Sequence, residues 1–406
     1  MSQTRRSLLL GAGGVAALVT RSRAQTPKVI TFGGSIPMSG EQADTGLNVL
    51  AGYQTAVKYI NEKQGGLKLG ADTYTLALQM FDDASDPQRA TTLIQKQLDS
   101  GVNFFLGSFS SPIVLPTAAI TDRAKKPMVQ AGGGADAIFT RGLRYVFGMF
   151  PRASRQLIPL VGMLRSIEPR PQRIAMITVN DTYSRSQADA AAEQLKASGF
   201  TITEVYRLPA SVSDVAGVVS QIRAAPPDVI ICNTRQRESL LITQQLVATD
   251  TNVKLLFEAL GPEVASFRAT LGKDAEGLTF LQYWDPRMKY TDPVFGTSTA
   301  YYDYYKSTTN RPSAYQTVAA AACIVSYCQA FQKAGLDPER VRDALAELDF
   351  TSIYGRIKFT PQGDGDPELM GSTVGQIHHG EGDIVYPPPV STGKLVYPLP
   401  KWSERG

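Results

Sequence analysis

The sequence has little of what metal centres and disulfide frameworks require. Among 406 residues there are three cysteines and two histidines, too few for a disulfide scaffold and little material for zinc binding or imidazole chemistry. His378 and His379 are adjacent on a predicted strand, so their side chains point to opposite faces and cannot bind one metal ion together. Cys232, Cys323 and Cys328 are expected to be unpaired and mostly buried. We expect no metal and no cofactor.

The sequence also lacks an excess of charge of either sign. Charged residues make up 19%, with 41 Lys and Arg against 37 Asp and Glu, and four of the arginines fall within the first 24 residues, which carry no acid. Without those four, the two signs are equal in number. A nucleic-acid partner bound through bulk positive charge is therefore not expected. The 43% hydrophobic content excludes disorder and suffices for two or three domain-sized cores.

Beyond the first 24 residues, no apolar run reaches the roughly 18 residues that a membrane span requires. The first 24 residues combine the pair Arg5 and Arg6, an apolar stretch at 8–19 and small residues ending at Ala24, which predicts a cleaved export signal. The paired arginines and the glycine-rich stretch are typical of a twin-arginine signal, with an ordinary secretory leader as the alternative. No cysteine lies near the cleavage point, so we expect a soluble periplasmic protein with no membrane anchor.

Short apolar runs alternate with longer amphipathic runs from residue 28 onward. This alternation predicts parallel strands connected by crossover helices, which is an α/β fold. Two similar series, one before and one after Pro151, indicate two lobes. The last third mixes predicted helices, the first of them at 293–306, with isolated strands. Such a mixture suits segments that complete both lobes better than a third domain.

Motifs of the common enzyme classes are missing from the sequence. It contains no phosphate-binding loop with a lysine, no G-x-S-x-G nucleophile elbow and no H-E-x-x-H helix. The glycines at 132–134 follow a predicted strand, but they lack the spacing of a dinucleotide-binding fingerprint. We therefore expect a protein without enzymatic activity. A hydrolase or cofactor enzyme on an α/β scaffold is the alternative, although no nucleophile and base occur at a recognisable spacing.

Two predicted loops combine features of an anion site. In open α/β sheets, ligands bind beyond the carboxyl ends of the strands, where backbone N–H groups at helix N-termini can receive an anion. Ser110 and Ser111 follow one predicted strand and precede Pro112, so they can cap the next helix and also bind a ligand carboxylate. Gly132 and Gly134 follow the next strand, where missing side chains would let a ligand approach free backbone donors.

Several short motifs occur in a distinctive order along the chain. They are residues 36–40 with Gly46, 82–90, 107–111, 150–151, 181–183, 277–278, Tyr315 and 354–364. With these motifs in this order behind a predicted export signal, residues 28–390 resemble the type I periplasmic solute-binding proteins of ABC importers, specifically the branched-chain or hydrophobic amino acid-binding family. Each motif is short, and the order and spacing together carry the resemblance.

The resemblance implies two Rossmann-like lobes with a ligand cleft between them. Three crossovers, near residues 147–151, 283–286 and 355–357, would form a hinge that closes the lobes on the ligand. The N-terminal lobe would comprise residues 28–147 and 286–355, and the C-terminal lobe residues 148–285 and 356–406.

The function that the resemblance implies is solute capture. The protein, expected to be a monomer, would bind a small amino acid or related carboxylate and deliver it unaltered to the permease subunits of an ABC importer. A signalling receptor of the same fold, which senses a small amide, amino acid or aromatic acid, is the alternative function.

The resemblance also implies roles for individual residues. Ligand-binding positions in the N-terminal lobe would be Ser110, Ser111, Gly132 and Gly134. Ser111 would hydrogen-bond the ligand carboxylate, with backbone donors from the two glycines. Tyr183 matches a family tyrosine that covers the ligand, although a packing role alone is the alternative. Asp44 lies in a segment that would close over the N-terminal lobe, unless that segment is a solvated turn.

Departures from the family pattern concern the ligand's ammonium group. Where amino acid binders carry a hydroxyl that helps to hold the ammonium, residues 133–135 offer none. Arg235 stands where relatives place an aromatic residue; an arginine there favours a carboxylate and repels an ammonium, unless it is an exposed charge beside Arg237. Glu258 and Glu263 are both candidates for the ammonium-binding acid. If neither points inward, a hydrophobic or aromatic carboxylate would fit better.

Overall fold

Two separate sheets organise the computed structural model, which describes residues 28–311 and 313–405. The predicted export signal at residues 1–24 lies outside the described residues. The strands are β1 (Lys28–Ile36), β2 (Leu67–Leu69), β3 (Asp72–Asp82), β4 (Phe104–Leu106), β5 (Met128–Gln130), β6 (Val146–Gly148), β7 (Arg173–Val179), β8 (Thr201–Leu208), β9 (Val229–Asn233), β10 (Leu255–Glu258), β11 (Thr279–Gln282), β12 (Thr291–Asp292), β13 (Gly296–Thr297), β14 (Asp349–Ser352), β15 (Gly355–Lys358), β16 (Thr373–His378) and β17 (Glu381–Tyr386).

Helices connect most of these strands. They are α1 (Ala43–Lys63), α2 (Pro87–Asp99), α3 (Ser111–Arg123), α4 (Asp136–Phe139), α5 (Ala153–Gln156), α6 (Ile158–Ser166), α7 (Thr182–Ala197), α8 (Ala216–Ala224), α9 (Gln236–Ala248), α10 (Ala265–Leu271), α11 (Ser298–Thr309), α12 (Tyr315–Ala334) and α13 (Pro338–Ala346). Within the described ranges, no helix has the length and apolar character needed to cross a bilayer.

The first sheet has the strand order β2-β3-β1-β4-β5-β6. Strands β1, β3, β4, β5 and β6 pair in parallel, and only the short edge strand β2 runs antiparallel, against β3. Parallel neighbours require crossover connections, which the alternation of apolar and amphipathic runs predicts. The carboxyl ends of these strands therefore lie along one edge, from which the loops after β4 and β5 emerge.

Helix α12 completes the first lobe although it comes late in the chain. It packs on α1 at a close approach, because a Cβ atom on Gly52 would lie 2.1 Å from the carbonyl oxygen of Thr317. Its Tyr327 hydroxyl lies 2.9 Å from the carbonyl oxygen of Phe105 and 2.7 Å from that of Pro127. These contacts tie α12 to α1 and to residues 222 and 200 positions upstream of Tyr327.

The second sheet has the order β17-β16-β11-β10-β9-β7-β8. Strands β11, β10, β9, β7 and β8 are parallel, and β16 and β17 add an antiparallel edge from the last part of the chain. Both lobes thus include segments from the last third of the chain, as the sequence pattern predicts. The fold is the two-lobed α/β architecture that the resemblance implies.

Three crossover segments run side by side between the lobes. The backbone N–H of Gly365, in the segment between β15 and β16, donates to the carbonyl oxygen of Phe150 at 2.9 Å, so this segment lies beside the first crossover. Trp284 Nε1 donates to the carbonyl oxygen of Ile353 at 2.8 Å, which joins the second and third. The lobe boundaries given above remain a prediction.

The start of α11 differs from the sequence-based prediction, whereas the predicted state of the cysteines is confirmed. The helix expected over 293–306 begins only at Ser298, because the Asp292 side chain accepts the backbone N–H groups of Val294 and Phe295 at 2.8 and 2.6 Å and forms a turn there. The three cysteines are free and buried, as predicted.

Candidate functional site

A cavity lined by residues of both lobes lies between the two sheets. Its walls come from segments that follow β4, β5, β6, β7, β9, β10 and β11 and from the start of α12, so it lies at the carboxyl ends of parallel strands from both lobes. We call it the inner cavity, and its lining residues are Phe109, Ser110, Ser111, Ala131, Gly132, Gly134, Phe150, Gln156, Tyr183, Arg235, Leu260, Tyr283, Tyr315 and Gln316. Six of the predicted site residues are thus brought together.

In the first-lobe wall of the inner cavity, backbone N–H groups donate to side chains of the protein itself. Ser111 Oγ accepts the N–H groups of Gly134 and Ala135, both at 3.0 Å. The side-chain oxygen of buried Gln130 accepts the N–H groups of Gly132, at 2.9 Å, and of the next glycine, at 2.6 Å. The free backbone donors expected at Gly132 and Gly134 are therefore already bonded within the protein, although both glycines line the cavity.

The second-lobe wall is organised by Asp181. This residue precedes α7, and its Oδ1 accepts the N–H groups of Tyr183 at 2.9 Å and Ser184 at 3.1 Å, which caps the helix. Its Oδ2 accepts from Arg235 Nε at 3.2 Å. Arg235 is not a fully exposed charge, because its side chain is only 19% exposed. One carboxylate thus contacts two of the predicted site residues of the second lobe, Tyr183 and Arg235.

Tyr183 also belongs to a chain of buried amides. Its hydroxyl donates to Gln156 Oε1 at 2.7 Å and accepts from Gln187 Nε2 at 3.0 Å. Gln187 in turn accepts from Asn233 Nδ2 at 2.9 Å. Burial raises the pKa of Tyr183 well above its ordinary value, so the phenol stays neutral. The ring is therefore both packed and fixed in orientation at the cavity wall.

Neither candidate acid lines the inner cavity. Glu258 is completely buried, and its Oε1 accepts from Thr243 Oγ1 of α9 at 2.5 Å, which places it behind the sheet rather than in the cleft. Glu263 accepts from the N–H of Gly261 at 2.5 Å and from Gln316 Nε2 at 3.2 Å. Burial raises the pKa of Glu263 to about 7. Its carboxylate thus does not line the inner cavity itself but hydrogen-bonds the side-chain amide of Gln316, which does.

Asp44 lies at the rim of the cleft, outside the inner cavity. Ser266 Oγ donates to Asp44 Oδ2 at 3.4 Å, and Arg237 Nε lies 3.4 Å from Glu41 Oε1. Each pair joins a residue of the α1 region to a residue of the second lobe. The segment around Asp44 therefore contacts the opposite lobe, and Asp44 is not among the residues that line the inner cavity.

Several aromatic and amide residues of the inner cavity have no predicted ligand role. Tyr283 and Tyr315 come from crossover segments and α12, and Phe150 follows β6. The Tyr283 hydroxyl and Gln316 Oε1 are buried without a hydrogen-bond partner among the described residues. Phe150 and Tyr315 belong to the motifs that carry the family resemblance. Tyr283 comes directly after a strand, and this position is the sequence feature that could have indicated a place in the cleft.

Comparison with known proteins gives a consistent result. The family model described as periplasmic binding protein matches residues 29–376. The leucine-, isoleucine-, valine-, threonine- and alanine-binding protein of Pseudomonas aeruginosa is 25% identical over 364 residues, which cover 89% of this chain and 93% of that protein. A Leu/Ile/Val-binding protein homolog of Brucella suis is 28% identical over 246 residues, 59% of this chain and 60% of that protein, so this match spans less than two thirds of the relative.

Solved structures share the fold at low sequence identity. The branched-chain amino acid transporter substrate-binding protein of Streptococcus pneumoniae, in complex with isoleucine, superposes with a TM-score of 0.77 at 17% identity, covering 91% of this chain and 100% of that one. A solute-binding protein of an ABC transporter from R. palustris, in complex with benzoate, superposes with a TM-score of 0.74 at 16% identity, covering 91% and 97%. These likenesses show the fold alone.

Proposed function

The chain belongs to the periplasmic binding protein family, and from that premise we propose that it is the extracytoplasmic solute-binding protein of an ABC importer. It captures a small carboxylate between its lobes and delivers it unaltered to a membrane permease. The observation that supports this function best is the inner cavity, which both lobes enclose and which combines aromatic walls with Arg235. Family membership supports binding rather than catalysis.

The lining of the inner cavity favours a carboxylate with a hydrophobic body. Phe109, Phe150, Tyr183, Tyr283 and Tyr315 supply aromatic surface, which binds apolar groups and rings. Among the lining residues that the structure describes, Arg235 is the one charged side chain, and none is Asp or Glu. A guanidinium pairs well with a carboxylate, whereas an ammonium would find only neutral oxygens.

The fold neighbours bind ligands of both kinds. The Streptococcus pneumoniae protein holds isoleucine, the R. palustris protein holds benzoate, and a solute-binding protein from Rhodopseudomonas palustris BisB5, with a TM-score of 0.73 at 18% identity, holds 3,4-dihydroxybenzoic acid. For this chain we propose an aromatic or other hydrophobic carboxylate, with a branched-chain amino acid as the competing ligand. The absence of an acid among the described residues that line the inner cavity supports the first of these two ligand classes.

Contacts across the rim support capture by closure of the lobes. Asp44 with Ser266 and Glu41 with Arg237 join the lobes outside the inner cavity. These pairs exist only when the lobes are close, so they stabilise the closed form together with any ligand inside it. The three adjoining crossovers are the segments about which such a movement would turn.

A thermal-shift panel of aliphatic amino acids, aromatic acids and the matching amides tests this function. A true ligand at 100 times its dissociation constant adds about 2.7 kcal/mol of stability, so at least one carboxylate should raise the unfolding midpoint clearly. Mass spectrometry of the released compound should return it unchanged, and a strain without the protein should lose uptake of that compound. No shift across the panel, or chemical conversion of the compound, would refute the proposal.

A further inference from the structure

We infer that the ligand carboxylate is anchored on the second lobe by Arg235, that Asp181 is the positioning residue for this arginine, and that Ser111 serves mainly to shape the first-lobe loop. The inference rests on the proposed function and specifies how the same cavity holds its ligand. It reverses the expectation drawn from the resemblance, in which Ser111 and the glycine loop of the first lobe receive the carboxylate.

The first lobe offers few donors to an anion. The N–H groups of Gly132 and Gly134 already donate to Gln130 and Ser111. Ser111 Oγ accepts two backbone bonds, which leaves its single proton and the hydroxyl of Ser110 for a ligand. Binding a carboxylate at the loop backbone would require these buried bonds to break first, and a buried group left without its hydrogen-bond partner is costly.

The second lobe offers a guanidinium that is held in place through one nitrogen and keeps its other donors for a ligand. Among the described residues, the hydrogen-bond partner of Arg235 is Asp181, which it reaches through Nε. The two terminal nitrogens of the guanidinium remain for a ligand, and they are the pair that binds a carboxylate in a bidentate manner. The structure therefore places the better anion donor opposite the first-lobe loop.

Asp181 orients Arg235 without cancelling its charge. The carboxylate of Asp181 also accepts the N–H groups of Tyr183 and Ser184 and the Ser184 hydroxyl, so its negative charge is shared with the N-terminus of the 16-residue helix α7. Its side chain is only 7% exposed and held from several directions. A guanidinium bonded to so rigid a partner loses little further freedom when it binds a ligand.

A second cavity supports the same orientation. It shares Phe109, Arg235 and Leu260 with the inner cavity, and its other lining residues are mainly polar and include Arg237 and the acids Glu41, Glu238 and Glu263. Arg235 thus lies where an apolar chamber meets a polar one. A ligand whose carboxylate binds Arg235 keeps its charge at the polar side and buries its hydrophobic body against the aromatic walls, which avoids burial of an unpaired charge.

Calorimetry with benzoate, benzamide and isoleucine tests this inference on the wild type and on Arg235→Gln and Asp181→Asn. Loss of a hydrogen bond to a charged group should weaken benzoate binding by about 10- to 100-fold in Arg235→Gln, with benzamide binding unchanged. Asn at 181 keeps a capping oxygen for α7 but turns an NH₂ group toward Arg235 Nε. Asp181→Asn should therefore weaken benzoate binding by about 5- to 10-fold and leave benzamide binding unchanged. The loss is smaller than that in Arg235→Gln, because the charged hydrogen bond from Arg235 to the ligand is kept.

Selectivity for acid over amide is the readout that a merely structural role of Asp181 would not change, and unfolding midpoints confirm that each variant is folded. Equal losses for benzoate and benzamide would overturn the role of Arg235, and a loss of both in Asp181→Asn would overturn its positioning role. Tight isoleucine binding that persists in Arg235→Gln would place the carboxylate elsewhere and leave the proposed function standing. Failure of benzoate to bind the wild type would also overturn the inference. The proposed function is refuted only if no compound of the thermal-shift panel binds or if the bound compound is chemically converted.

Discussion

Gly134 and Tyr183 face each other across the cleft at a distance that leaves no room for a side chain on the glycine. A Cβ atom on Gly134 would lie 3.1 Å from Cε2 of Tyr183 and 2.8 Å from Nε2 of Gln156. Gly134 follows β5 of the first sheet, and Tyr183 begins α7 beside the second. The missing side chain at 134 therefore permits the contact between the lobes.

Gly134→Ala should hinder closure of the lobes. Overpacking of a tight contact costs about 1–3 kcal/mol, so a ligand identified by the panel should bind about tenfold more weakly. Small-angle X-ray scattering of the ligand-saturated variant should give a larger radius of gyration than the wild type. Gly217→Ala is the matched control, because a Cβ atom there meets no atom within 4 Å. Equal affinity and equal dimensions for Gly134→Ala and the wild type would contradict the prediction.

Ser111→Ala should lower stability more than it lowers affinity. It removes the acceptor of two N–H groups, those of Gly134 and Ala135, and unsatisfied buried donors cost about 1–3 kcal/mol. Urea unfolding measures this loss. Ser110→Ala is the control, since the Ser110 hydroxyl makes no hydrogen bond among the described residues. A larger loss of benzoate affinity in Ser111→Ala than in Arg235→Gln would count against the second-lobe anchor.

Tyr327→Phe should destabilise the first lobe. Its hydroxyl bonds the backbone at Phe105 and Pro127 in the buried core, and removal should cost about 1–3 kcal/mol. Tyr354→Phe is the contrasting variant, because the buried Tyr354 hydroxyl has no partner among the described residues, and its removal should be neutral or slightly stabilising. Denaturant midpoints of the two variants should differ in this direction, and similar midpoints would show that the Tyr327 bonds contribute little.

The titration of Glu263 should make stability fall as pH rises. Burial raises the pKa of Glu263 from 4.5 in the unfolded chain to about 7, so the folded protein binds more protons than the unfolded chain between these values. The stability contributed by the neutral form is complete below about pH 4.5 and is lost as pH rises through about 7. Over that window the change is up to about 3 kcal/mol.

Glu263→Gln is the variant that isolates this effect. Glutamine stays neutral at every pH. The difference in unfolding free energy between the variant and the wild type should therefore grow in favour of the variant from about pH 5 to about pH 8, the range in which the acid ionises. Unfolding curves at each pH measure it. A constant difference would mean that Glu263 titrates at an ordinary pKa in the folded protein.

Local sequence patterns were enough to predict the fold and part of the site. The alternation of runs that begins at residue 28 corresponds to β1 and the strands and helices that follow it, and loops at strand ends bring Ser111 and Arg235 to one cavity because parallel strands end at the same edge. The orientation of Glu258 was not predictable, because strand β10 is buried on both faces and its apolar run does not show which face a side chain takes.

Other features depend on contacts between distant parts of the chain. The acceptor that occupies the glycine-loop donors is the side chain of Gln130, a buried glutamine that no composition or spacing rule singles out. The aromatic walls come from separate crossovers and from α12, so Phe150, Tyr283 and Tyr315 become neighbours only in the folded protein, with ring centroids 4.9 to 5.7 Å apart.

The late position of α12, β16 and β17 has a consequence for how the polypeptide can be divided. A fragment that stops at the second crossover would lack the helix that covers the first sheet and two strands of the second, and so would leave each half with an exposed apolar surface. Neither half exists as one uninterrupted stretch of residues. A growing polypeptide must therefore be nearly fully synthesised before either half can become a stable unit.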